Sequence, residues 1–121
     1  VIKTKPSDIC QVPCFNIELV TQVNEALPED DLLENAQILF GALADKSRLK
    51  ILHALSDGKE LCVCDVASLL EVKIASASHH LRKLRDLKIL KYRNDGKLAY
   101  YSLKDQRVAN ILRHALKQLI E

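Results

Sequence analysis

The sequence contains no tryptophan and no methionine, and only two phenylalanines and three tyrosines. Any core it builds is therefore aliphatic, a composition that suits packed helices. Three glycines and three prolines argue against a loop-rich scaffold stapled by disulfides. No apolar run approaches the roughly 20 residues that cross a bilayer. The opening stretch, residues 1–7, is neither a charged-then-apolar signal nor an amphipathic transit peptide. These absences predict a soluble, cytosolic protein with no membrane partner. An excess of one charge is missing too, with 18 basic against 16 acidic side chains. What is present is 121 residues, 48% of them hydrophobic, enough for one core and too apolar for a chain that stays disordered. In a reducing compartment, the four cysteines favour metal binding or redox chemistry over disulfides.

The charge balance hides a strong asymmetry. Residues 1–45 carry two basic and eight acidic side chains, whereas residues 73–104 carry nine basic against Asp86 and Asp95. That local field suits a polyanionic partner, although a solvated, salt-bridged surface has the same composition.

Residues 1–14 lack helical periodicity and contain Pro6 and Pro13, so they read as an extended or flexible metal-binding arm carrying Cys10 and Cys14. Residues 15–121 read as a single domain. Asn16 is placed as an N-cap, with Phe15 and Val20 as a hydrophobic staple, for a helix ending near Ala26. Pro28 and the acidic run Glu29, Asp30 and Asp31 mark a second helix start. Asp45 is an N-cap for a third helix, with Leu49, Ile51, Leu52 and Leu55 inward and Gly58 as the stop.

Two short apolar-periodic stretches follow. The first runs through Val66, Ala67, Leu69 and Leu70. After a break at residues 71–73, the second turns Ile74, Ala77, Leu81 and Leu84 inward and Ser76, His79, His80 and Lys83 outward. Two short helices with a tight connection form the helix-turn-helix pattern. Residues 90–94 and 97–103 are rich in β-formers about the turn signal Asp95-Gly96, which makes a hairpin wing. The C-terminal helix carries Val108, Ile111, Leu112, Ala115, Leu116 and Leu119 on one stripe, available to its own core or to a partner subunit. The fold class is mainly α with a β-hairpin wing.

The segments 42–52 (Ala-Leu-Ala-Asp-Lys-Ser-Arg-Leu-Lys-Ile-Leu), 60–67 (Glu-Leu-Cys-Val-Cys-Asp-Val-Ala), 76–84 (Ser-Ala-Ser-His-His-Leu-Arg-Lys-Leu) and the wing at 92–97 together resemble the ArsR/SmtB family of bacterial and cyanobacterial metal-sensing repressors. Cys10-x-x-x-Cys14 with Cys62-x-Cys64 is most similar to the cadmium-, lead- and zinc-sensing CadC and AztR branch. The resemblance implies a homodimeric winged helix-turn-helix repressor that holds operator DNA when metal-free and releases it when metal binds. The N-terminal and C-terminal helices would form the dimer, and the arm would come from the other subunit.

Four thiols suffice for a tetrahedral site, and soft sulfur favours Cd(II), Pb(II), Zn(II) or Cu(I) over hard cations. Within regular helix a C-x-C pair points about 200° apart, so both sulfurs serve one ion only where the chain is irregular. Cys62 and Cys64 lie at a helix start, whose positive end also favours thiolate ligands. The ligand set Cys10, Cys14, Cys62 and Cys64 follows, and the resemblance implies Cd(II), Pb(II) or Zn(II) as inducer. Asp8 or Asp65 could replace a thiolate toward zinc, and an arsenite sensor would need only three thiols. A second family site, between the C-terminal helices, would need histidines where Arg107 and Gln118 stand. With only Asp105 and Glu121 matching, and His114 one turn away from Gln118, that site is absent.

The resemblance puts Ser76, Ser78, His79, His80, Arg82 and Lys83 at the major groove, and Arg93, Asn94 and Lys97 on the wing beside the backbone or minor groove. A two-fold dimer then demands operator DNA with an imperfect inverted repeat. Lys73 stands where many relatives have a capping serine. A redox enzyme would need C-x-x-C in a βαβ unit, and no glycine-rich phosphate loop is present, so neither an enzyme nor a small organic substrate is expected. A cytosolic metal buffer or chaperone is the other class, but it has no use for a basic helix and wing.

Overall fold

The computed structural model describes residues 15–120. The expected arm, with Cys10 and Cys14, lies outside the described residues, as does Glu121. The chain divides into two units, residues 1–34 and 35–121. In the first, α1 (Ile17–Ala26) opens on Asn16, whose Oδ1 accepts from the Leu19 N–H at 3.0 Å. The helix stops at Leu27 because Pro28 forces the preceding residue into extended geometry. None of its residues is buried, and Ile17, Leu19, Val20 and Val23 are all exposed. A second helix, α2 (Asp30–Leu43), begins with Asp30 and Asp31 at its positive end and finishes in the second unit with Ala42 and Leu43 buried.

In the second unit, α3 (Lys46–Ala54) is capped by Asp45, as expected. It ends before Gly58, however, and a single 3-10 turn fills residues 56–58. Then come β1 (Leu61–Cys62), α4 (Val63–Leu70), α5 (Ile74–Asp86), β2 (Leu90–Asp95), β3 (Leu98–Leu103) and α6 (Arg107–Leu119). Ile51, Leu52, Leu55, Val66, Leu81 and Leu84 are the largest wholly buried side chains. This aliphatic centre joins α3, α4 and α5. Ile74 does not belong to it: at 55% exposed it occupies the first position of α5, where the helix has not yet reached the core.

Both helices of the pair end in the same way. The Val72 N–H donates to the Ala67 carbonyl and the Glu71 N–H to that of Ser68, while Ile89 and Lys88 donate to Leu84 and Arg85. These are Schellman closures, with Glu71 at φ 55° and Lys88 at φ 62° in the left-handed region that usually falls to glycine. The sheet has the order β1-β3-β2 and is antiparallel throughout. Asp95 pairs with Leu98, so the turn is Gly96-Lys97, one residue later than the sequence signal. Its positive φ of 63° falls on Gly96, the first central residue, as in a type II′ hairpin. On α6, Ala109 and Leu112 are buried, while Ile111, Leu116 and Leu119 remain exposed.

Candidate nucleic-acid interface and thiol pair

Alternation of burial along α5 follows from its inward stripe of Ala77, Leu81 and Leu84. Ser76, His79, Arg82 and Lys83 are consequently exposed, whereas Ser78 and His80 are half-buried. His79, Arg82, Lys83 and Asp86 line one shallow depression on this helix. The Arg82 Nε–H leans back to the Ser78 carbonyl at 3.4 Å. His80 is not free: its Nδ1 accepts from Arg48 Nε at 3.4 Å. No side chain caps α5 at Lys73; the Lys73 carbonyl instead accepts from the Ser76 and Ala77 N–H groups at 3.0 and 3.1 Å.

On the wing, Lys97 is exposed at the turn. Arg93 is held at both ends, donating to Glu60 at 2.8 and 3.2 Å and lying 4.9 Å over the Tyr100 ring. The Arg93 hydrogen bond keeps the Glu60 carboxyl below its ordinary range, and Glu60 in turn raises the Arg93 guanidinium. Arg85 stacks 5.5 Å over Tyr92, joining α5 to the wing. Glu60 and the two tyrosines were not singled out by sequence, because their partners are distant in the chain.

Cys62 occupies a junction. It pairs with Tyr100 in the wing sheet and also caps α4. Its N–H donates to Asp65 Oδ2 at 3.1 Å, and its thiol lies 3.3 Å from the same oxygen. Cys62 is buried at 8% exposure, while Cys64, in the first turn of α4, is exposed. The irregular strand-to-helix step thus separates the two residues, and their soft donors fit part of a thiolate shell. Among the described residues, no cluster of three or more metal-ligating side chains exists, so this pair is not a complete site by itself. At the start of α6, Asp105 is engaged by Arg107, whose backbone N–H donates at 2.8 Å and whose guanidinium lies at 3.1 Å. His114 is exposed, and Glu121 lies outside the described residues.

Residues 45–92, which span α3 through the start of β2, match the model of the bacterial regulatory protein arsR family. The chain is 44% identical over 108 residues to the cadmium resistance transcriptional regulatory protein CadC homolog of Staphylococcus aureus, covering 89% of this chain and 88% of that one. The chain belongs to the ArsR family. As an ArsR-family member it is a winged helix-turn-helix transcriptional regulator and not an enzyme. It is also 40% identical over 113 residues to the transcriptional repressor SmtB homolog of Synechocystis, covering 93% of this chain and 85% of that protein. A homodimeric winged helix-turn-helix DNA-binding domain from Mycobacterium bovis superposes with a TM-score of 0.63 at 30% identity, over 78% of this chain and 87% of that one. Among the described residues of this ArsR-family chain, no helix is long and apolar enough to cross a membrane.

Proposed function

We propose that this chain is a metal-responsive repressor. As a homodimer it binds operator DNA carrying an imperfect inverted repeat, and it lets go when Cd(II), Pb(II) or Zn(II) is held by Cys10, Cys14, Cys62 and Cys64. The observation that carries this reading is the position of Cys62, which belongs at once to the wing sheet and to the cap of the helix-turn-helix. The likeness to a cadmium resistance regulator and to a transcriptional repressor supports it. A bound soft cation would supply a centre that accepts sulfur lone pairs from both segments. On metal binding the Cys62 thiol would lose its proton and so its donation to Asp65, while the Cys62 N–H would keep its bond to that carboxylate and with it the cap.

Ser76, Ser78, His79, Arg82 and Lys83 on α5 would meet the major groove, with Lys97 and Arg93 alongside on the wing. The free apolar faces of α1 and α6 would join two subunits. A coupling of about 1–3 kcal/mol between the two ligands changes affinity about 5- to 150-fold, and operator DNA must then weaken metal binding by the same factor.

The test is a cadmium titration of the full chain with its operator, followed by anisotropy and by the ultraviolet thiolate charge-transfer band. Release should occur near about one cation per subunit, with a band intensity matching about four thiolates. Cys62→Ser with Cys64→Ser should abolish release and leave DNA binding intact. DNA affinity indifferent to metal would refute the repressor reading, and full response in the double variant would refute the assigned ligands.

A further inference from the structure

We propose that Arg48 and His80 form a positioning pair that sets the roll of α5 about its own axis, and that His80 serves DNA binding through Arg48 and not by touching a base. The proposal rests on α5 being the helix that reads DNA. One guanidinium joins three segments. Its Nε donates to His80 Nδ1 on α5 at 3.4 Å, and its Nη1 donates to the Ala42 carbonyl near the end of α2, also at 3.4 Å. The Arg48 backbone N–H is in turn fixed by Asp45 Oδ1 at 3.1 Å. Arg48 and His80 are both half-buried, so the histidine the sequence placed on the outer face is turned partly inward.

The chemistry makes this contact directional. Guanidinium has donors only, so the imidazole must present an unprotonated Nδ1 and carry its hydrogen on Nε2. The remaining hold on α5 comes from Ala77, Leu81 and Leu84, apolar contacts that resist separation far more than rotation. A roll of about 10° moves a side-chain tip by about 1 Å on a helix about 10–12 Å across. Hydrogen bonds to base edges tolerate only about 0.5 Å in donor–acceptor distance. A polar pin close to the middle of α5 therefore decides whether Ser76, His79 and Lys83 reach the bases together. The titratable groups around His80 are Arg48 and Asp45 from α3 and its cap, with His79 beside it and Lys83 one turn on along its own helix.

The test has a DNA-free arm and a DNA arm, both on the full chain. In the free protein, imidazole ¹⁵N shifts should report the Nε2–H form of His80 with Nδ1 as acceptor; an Nδ1–H form overturns the pair. For binding, the probe is a duplex selected by the wild-type chain from a randomised pool, followed by anisotropy. His80→Ala and His80→Gln should each weaken binding about tenfold. His80→Asn, whose side-chain oxygen takes the place of Nδ1, should recover most of the loss. Arg48→Met should resemble His80→Ala, and the double variant should be little weaker than either alone. Additive losses, or His80→Asn as weak as His80→Ala, would make His80 a direct contact and sink the proposal. If His80→Ala does not fold, the comparison of the Asn and Gln variants decides alone. A wild-type chain that selects no duplex would refute the reading of α5, while the ¹⁵N result still judges the pair.

Discussion

At the scale of single residues, Asp45 shows how one side chain serves several neighbours. Its carboxyl is held below the ordinary aspartate value of 3.8, first by the Arg48 N–H and then by the nearby Arg48 guanidinium. A carboxyl with a depressed folded pKa contributes stability that is fully present above its unfolded value and is lost as pH falls through its folded value. Asp45→Asn should therefore melt within a few tenths of a kcal/mol of wild type at pH 7, because asparagine caps as well, and should flatten the loss of stability below pH 4. Asp45→Ala should cost about 1 kcal/mol at neutral pH. Thermal melts across pH 2.5–7 check both. The cap itself was legible from sequence, as was Asn16, because a cap lies within three residues of the group it satisfies. Arg48–His80 and Arg93–Glu60 were not, since their partners are 32 and 33 residues apart and no local period links them.

At the scale of elements, the periodic stripes were the readable part. Ala77, Leu81 and Leu84 are buried as their spacing requires, and the wing was visible from its β-formers and glycine. Two things escaped. β1 is only two residues long and exists through its pairing with β3, and the turn register is fixed by which central residue needs positive φ. The elements also leave a clear expectation for α1. Its apolar side chains are exposed, so Val20→Glu with Val23→Glu removes nothing that is buried among the described residues. Sedimentation should show the variant losing self-association while circular dichroism keeps its helix content. An unchanged dimer would exclude α1 from the interface. The proposed metal ligands were legible only as a set of thiols. Structure adds that Cys62 is tied to Asp65 and to the wing, a placement no count of cysteines contains.

At the scale of the whole molecule, a net charge of +2 conceals a basic segment that carries α5 and the wing. Operator affinity should fall steeply with salt despite the small net charge, because each neutralised phosphate contributes about −0.9 to the slope of log K against log salt. Lys97→Gln should reduce that slope by about one per bound subunit and weaken all sequences alike. Arg93→Gln should change the slope less, since Glu60 already neutralises its partner. Binding isotherms at several salt concentrations separate the two.

The left-handed residues Glu71 and Lys88 carry a mechanical meaning. Side chains rather than glycine hold these bends, and each bend is cross-tied by two backbone bonds, so the joints before and after α5 have little freedom to flex. On the proposed metal switch, a push at the Cys62 end of α4 would therefore not be absorbed at the corner. It would travel onward as a displacement of α4 and α5 together, like a key turned by its bow.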